Sequence, residues 1–299
     1  MIGNIINNIN KFAGVVFFNN LSTFSYSLFN FLYKKNILLE NVVNENTILN
    51  LYNKDGYVQF KGIGADKIKK INNELSSQNV SRQANNRYVY DINENVKSII
   101  KSTIQDEFAE ILEKLRKYYN SNVTLGHALI TRNYNYDPTE GESYSSYYHC
   151  DGYLHTYFKI LINLSDVDST MGPTSILNKK DTQKNISLFK YNSRNIEKEK
   201  KINSQVFQNI SKIGDCLLVN TTQCLHKAGI PDIGKCRDTL FLIFCAYPQK
   251  EKNIFYFEKK YENSIWGKNS ELVKKLAKPY GFRKLIKLYK NFLENKLIN

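Results

Sequence analysis

The sequence has no Cys-x-x-Cys pair, no apolar run long enough to cross a bilayer, and no basic residue before Lys11. Each absence removes a class of protein. Five scattered cysteines, at positions 150, 216, 224, 236 and 245, make a structural zinc site improbable. An odd number of them without a secretory leader favours reduced thiols, so a cytoplasmic location is expected. The opening Met1-Ile2-Gly3-Asn4 lacks the charged start and small-residue cleavage site of a signal peptide. The Phe- and Leu-rich stretch 14–33 is broken by Asn19, Asn20, Ser22, Ser25 and Asn30, which argues against a spanning helix. Acidic residues are also scarce: 28 Asp and Glu against 42 Lys and Arg leave a net charge of +14. That excess could attract nucleic acid or an anionic membrane. Lysine, asparagine and isoleucine are over-used together, however, as in an AT-rich coding sequence, so no specific nucleic-acid partner is inferred.

What is present supports a folded chain. With 299 residues, 42% hydrophobic and 13% aromatic, it can bury a substantial core, and wholesale disorder is excluded. Residues 1–47 read as a helical segment, with Ile2, Ile5, Ile6, Ile9, Phe12, Ala13 and Val16 at three- and four-residue steps. Leu51 to Phe60 reads as a turn leading into a short strand, Ala65 to Leu75 as a helix, and Thr103 to Tyr119 as one longer helix. From Val123 to about Tyr247 the pattern becomes that of strands, clearest from Thr156 to Leu164, with a polar, lysine-rich insertion over 178–205. Helices followed by a long run of strands predict a β-sandwich or jelly roll buttressed by helices. Residues 48–250 would form this domain, and 251–299 a basic helical extension packed on it. In that extension Leu285, Leu288, Tyr289, Phe292 and Leu293 form an apolar stripe among lysines. Such a helix packs on its parent domain or makes a weak contact with a membrane surface.

The chemistry concentrates at His149-Cys150-Asp151. On a strand, residues i and i+2 share a face, so His149 and Asp151 can reach one metal while Cys150 points away. A third ligand must come from another strand, and His226, after the apolar run Cys216 to Val219, fits that need. Two histidines and a carboxylate are the facial ligand set of non-haem Fe(II), which leaves positions open. Arg237 stands eleven residues after His226 (237 − 226), and its planar fork suits bidentate capture of the far carboxylate of a 2-oxo acid. A bare His-x-Asp recurs by chance on surfaces; the distal His226 and Arg237 distinguish this one. His127 reads as a histidine satisfied within the core, His155 as a loop or partly exposed residue that could face the pocket, and Arg132 as a partner in a surface salt bridge.

At these residues the chain resembles the phytanoyl-CoA dioxygenase family of Fe(II)/2-oxoglutarate oxygenases, over roughly residues 48–247. Asp55-Gly56-Tyr57-Val58 resembles the family's opening segment, and His149-Cys150-Asp151 its His-x-Asp. The strand from Lys159, with Asp166-Val167-Asp168 and Met171-Gly172-Pro173-Thr174, resembles its long strand and following turn. Gly214-Asp215 leads toward the distal ligand His226, and Arg237 takes the place of the 2-oxoglutarate arginine. The resemblance implies a double-stranded β-helix core, jelly-roll or cupin-like. It also implies Fe(II) on His149, Asp151 and His226, 2-oxoglutarate as cosubstrate, O2, and hydroxylation of a small-molecule, lipid-linked or saccharide precursor. Retention of Asp151 separates it from related halogenases, which carry a small residue there. Two departures stand out. Ser175-Ile176-Leu177-Asn178 replaces the usual Pro-Gly-Ser-His stretch, and Ala228 stands where a small hydroxyl residue is common. The second 2-oxoglutarate contact is therefore open, with Lys159 or Leu161 as candidates. The alternative is a non-catalytic jelly-roll binding protein that uses its basic C-terminal helix on membrane or nucleic acid.

Overall fold

The structure is a computed structural model, described here for residues 48–119, 121–137, 139, 144–151, 156–185, 201–247, 254–255 and 265–267. The expected N-terminal helix, His155, most of the lysine-rich insertion and the basic C-terminal helix lie outside these residues.

The chain begins with helix α1 (Ile48–Asp55), which stops at Gly56. Gly56 takes φ 83°, and its amide donates to the Tyr52 carbonyl, 2.8 Å away. A side chain there would meet Cys224 Sγ at 2.4 Å, so the left-handed turn and the close approach both require glycine. Residues 51–55, expected as a turn, are therefore helical, and the turn is a single residue. Strand β1 (Tyr57–Lys61) and helix α2 (Ala65–Leu75) follow, then a hairpin of β2 (Val80–Ala84) and β3 (Arg87–Tyr90) across the two-residue turn Asn85-Asn86. Asparagine pairs suit such turns because they tolerate left-handed backbone.

The helix expected over 103–119 is two helices, α3 (Glu94–Asp106) and α4 (Ala109–Tyr119). Asn93 caps the first, its Oδ1 accepting from the Val96 amide. The break lets Ile100 and Ile104 of one, and Ile111, Leu112 and Leu115 of the other, all reach the same core, with Phe108 buried at the bend.

The remaining strands are β4 (Asn122–Tyr134), β5 (Tyr157–Asn163), β6 (Ser175–Ile176), β7 (Phe207–Gln208), β8 (Asp215–Val219), β9 (His226–Lys227) and β10 (Cys236–Tyr247), with helix α5 (Lys179–Asn185) after β6. They form a seven-stranded sheet, β1-β8-β5-β10-β4-β3-β2, and a three-stranded sheet, β7-β6-β9. An isolated antiparallel bridge between His149 and His226 adds the segment around His149 to the free edge of β9. The large sheet is antiparallel at every pairing. From β4 onward the chain passes back and forth: β4 in the large sheet, His149 in the small, β5 large, β6 and β7 small, β8 large, β9 small, β10 large. This winding is a double-stranded β-helix, the jelly-roll core.

The large sheet has two unlike faces. One packs on the helices, through Val58, Ile160, Ile162, Leu218, Leu240, Leu242 and Phe244. The other looks toward the small sheet. There Leu161, Leu217 and Val219 meet Ile176 and Cys224, with Tyr57 and Phe207 stacked at 4.7 Å. The turn after β5 is pinned by Asp168, whose Oδ1 accepts from the Thr170 amide and hydroxyl at 2.8 and 2.6 Å. Gly172 in that turn has φ 62° and lies so close to the 229–231 backbone that a Cβ would meet Ile230 at 2.4 Å. All five cysteines are free thiols. Among the described residues no helix is long and apolar enough to cross a membrane.

Candidate metal centre

Three backbone contacts bring the ligand candidates together. His149 and His226 exchange amide–carbonyl hydrogen bonds of 3.0 Å in both directions, so their side chains leave the bridge as neighbours with ring centroids 4.4 Å apart. The Asp151 amide donates to the Thr221 carbonyl at 2.9 Å. The 220–225 loop that delivers His226 is itself fixed. Asn220 Oδ1 accepts from Thr222, the Cys224 amide bonds the Asn220 carbonyl, and Thr182 Oγ1 accepts from the Leu225 amide at 2.8 Å. Cys150 points away, into a small apolar cluster with Tyr148, Leu177 and Leu225, as the two-residue alternation predicts. The strand itself is only a single bridge at His149.

One donor atom from each of His149, Asp151 and His226 lies within 4.8 Å of the others, a group able to hold a metal ion. His149 Nε2 is 3.8 Å and His226 Nε2 3.9 Å from Asp151 Oδ1. Each imidazole turns its other nitrogen to a main-chain carbonyl. His149 Nδ1 donates to Tyr147 at 2.7 Å, and His226 Nδ1 donates to Cys224 at 3.0 Å. That arrangement fixes the tautomer and leaves both Nε2 lone pairs facing Asp151. Burial holds both histidines neutral. The His226 pKa falls to about 3 through burial and then His149 beside it, and His149 is lowered mainly by burial. Burial alone would raise the Asp151 carboxyl, but Lys159 and the two imidazoles outweigh it and hold the group well below the usual carboxylate range. Two neutral imidazoles and one carboxylate suit a first-row divalent ion, whose bonds to such donors run about 2.0–2.2 Å.

Lys159 Nζ lies 2.6 Å from Asp151 Oδ2, so the lysine takes one carboxylate oxygen while the other faces the histidines. Its strand neighbour Leu161 sits in the apolar layer between the sheets. Arg237 lies on β10 with its side chain on the same sheet face, 3% exposed, and its Nε and Nη1 are buried without a hydrogen-bond partner. Burial, then the nearby charge of Arg87, pushes the Arg237 pKa down to about 10. Thr239, two residues on and therefore on the same face, is buried with an unpartnered hydroxyl. Asn133, directly opposite Arg237 on β4, has a buried unpartnered Nδ2, and Arg87, opposite Asn133 on β3, a buried unpartnered Nε. Sequence reasoning missed Arg87, Asn133 and Thr239. The only signal for Arg87 was its place just after the Asn-Asn turn, and nothing local said which strand β3 would join.

One histidine and one arginine from the sequence reading stand elsewhere. His127 is buried, with Nε2 donating to the Gly267 carbonyl at 2.6 Å, satisfied in the core as expected. Arg132 makes a two-point pair with Asp238, at 2.8 and 2.6 Å, also as expected.

No family model matches this sequence, and no curated protein matches it. Solved structures of similar fold include HygX from Streptomyces hygroscopicus with nickel and 2-oxoglutarate bound. It shares 15% identity at a TM-score of 0.48, over 68% of this chain and 87% of that chain. The 2-oxoglutarate-dependent epimerase SnoN of nogalamycin biosynthesis aligns at 13% identity and TM-score 0.48, over 67% and 84%. AviO1 from Streptomyces viridochromogenes aligns at 11% and 0.46, over 71% and 99%.

Proposed function

We propose that this protein is an Fe(II)/2-oxoglutarate-dependent oxygenase that hydroxylates a small molecule, with His149, Asp151 and His226 as the metal ligands and Arg237 as the anchor for the far carboxylate of the cosubstrate. The observation that carries this reading is the Arg237 guanidinium: buried, without a partner for Nε and Nη1, on the same face of the large sheet as Lys159, whose ammonium pairs with Asp151 of the His/Asp/His group. An uncompensated buried cation costs several kcal/mol, and a ligand carboxylate removes that cost.

The bound iron, with 2-oxoglutarate and O2, would supply oxidation of a substrate C–H bond coupled to formation of succinate and CO2. The chain's own residues have narrower tasks. The Tyr147 and Cys224 carbonyls hold the two imidazoles in the ligating tautomer. Lys159 occupies Asp151 Oδ2, which leaves Oδ1 as the single carboxylate donor. Arg237, with Thr239 Oγ1 beside it, fixes the length and orientation of the cosubstrate. The apolar layer of Leu161, Ile176, Leu217 and Val219 closes the interior next to the site against water.

The test is anaerobic titration of the purified protein with Fe(II) and 2-oxoglutarate. A weak visible charge-transfer band should appear in the wild type and be absent in His226→Ala. No band in well-folded wild type, or a band that survives in His226→Ala, overturns the reading.

A further inference from the structure

Arg87, Asn133 and Arg237 form a row with more donor capacity than one carboxylate can use. They are direct register partners across β3, β4 and β10, so their side chains stand side by side at strand spacings of about 4.8 Å. Each contributes a buried nitrogen without a hydrogen-bond partner. A carboxylate engages one guanidinium edge with two parallel hydrogen bonds. With the far carboxylate of the cosubstrate on Arg237, the Arg87 Nε is left over.

Arg87 is also placed differently from Arg237. Its charge acts on Asp151 and on His149 as well as on Arg237, so it lies near both the metal ligands and the anchor. Two guanidinium groups facing one interior repel each other, and the carboxylate near Arg87, Asp151, is already paired with Lys159. A ligand with two anionic ends relieves both.

Resting on the reading of Arg237 as the cosubstrate anchor, we propose that Arg87 and Asn133 Nδ2 form a second oxyanion site beside the metal centre that takes a carboxylate. Two sources fit this chemistry: the metal-proximal carboxylate of the 2-oxo acid, or a carboxylate on the molecule being oxidised.

Anaerobic calorimetry on the full-length protein separates them. The probes are 2-oxoglutarate and 2-oxobutyrate with the Fe(II) protein, acetate with the Fe(II)/2-oxoglutarate complex, and glutarate with the metal-free protein. If Arg87 holds the metal-proximal carboxylate, Arg87→Gln weakens both 2-oxo acids tenfold or more, whereas Arg237→Gln weakens 2-oxoglutarate alone. If Arg87 serves the other molecule, Arg87→Gln leaves the 2-oxo acids unchanged and abolishes saturable acetate binding. Arg87→Lys, which keeps the charge but not the fork, should fall between wild type and Arg87→Gln in either case, and it carries the readout if Arg87→Gln does not fold. Wild type that binds glutarate through Arg87 but gives no ferrous 2-oxoglutarate complex would sink the oxygenase reading and leave the second site standing. A folded Arg87→Gln protein with wild-type affinity for all four probes overturns the proposal.

Discussion

The two faces of the seven-stranded sheet obey opposite rules. Toward the helices, the inward positions of β1, β5 and β8, with Leu240, Leu242 and Phe244 of β10, are apolar and close-packed. Phe244 stacks on Phe158 at 5.4 Å, and Phe158 on Tyr119 at 5.8 Å, with Phe158 and Phe244 fully buried. Toward the small sheet, the same strands carry Lys159, Arg237, Thr239, Asn133 and Arg87, and four of these residues hold buried polar atoms without partners. A native interior satisfies nearly all of its polar groups. The helix face therefore supplies stability, and the other face holds unmet hydrogen-bonding capacity, which the proposed cosubstrate would use. One strand serves both ends because alternate residues of β10 belong to different faces.

Substitutions should pull the two faces apart. Phe244→Ala should destabilise by about 3–5 kcal/mol, read by urea unfolding, while the protein that remains folded still binds metal. Equal loss of metal binding and stability would mean that the faces are not separable. Arg237→Met should do the reverse. Removing an unpartnered buried cation should raise stability by about 1–2 kcal/mol in the ligand-free protein, and calorimetry should find 2-oxoglutarate binding lost. A destabilised Arg237→Met protein would contradict the view that this face is strained in waiting.

The smallest effect concerns His127, which faces the site layer but is satisfied by Gly267. Burial lowers its pKa to about 4, below its unfolded value of 6.5. The unfolded chain takes up the proton first as pH falls, so stability is lost from about pH 6.5 downward. Between pH 6.5 and 5.5 this costs about 1 kcal/mol. His127→Gln should remove that part of the slope; an unchanged pH dependence would place His127 in a solvated environment.

Much of this was legible in the sequence because it rests on spacing within one strand. The step of two between His149 and Asp151, the long strand from Lys159, and the placing of Arg237 within a strand are local patterns, and so is the burial of His127. The winding of strands followed from helices giving way to a period of two. What stayed hidden depends on register between distant strands. Arg87 meets Arg237 only because β3 adds to β4 with Arg87 opposite Asn133, and no periodicity in residues 80–90 states that. Lys159 was expected beside the cosubstrate as one of two candidates; that it pairs with Asp151 depends on contact between the two sheets, which no local pattern states. The split of the helix at Glu107–Phe108 was missed because both halves keep one continuous apolar stripe.

The reciprocal bridge between His149 and His226 bears on the order of assembly. These residues are distant in the chain, and they become neighbours only when β9 and the His149 segment meet at the edge of the small sheet. Pairings of such long range form late and slowly. An ion bound at His149, Asp151 and His226, as proposed, would enter a core already formed rather than template it as in a zinc finger. In refolding, metal uptake should lag behind the burial of Phe158 and Phe244, and a chelator should strip the ion while the chain keeps its shape.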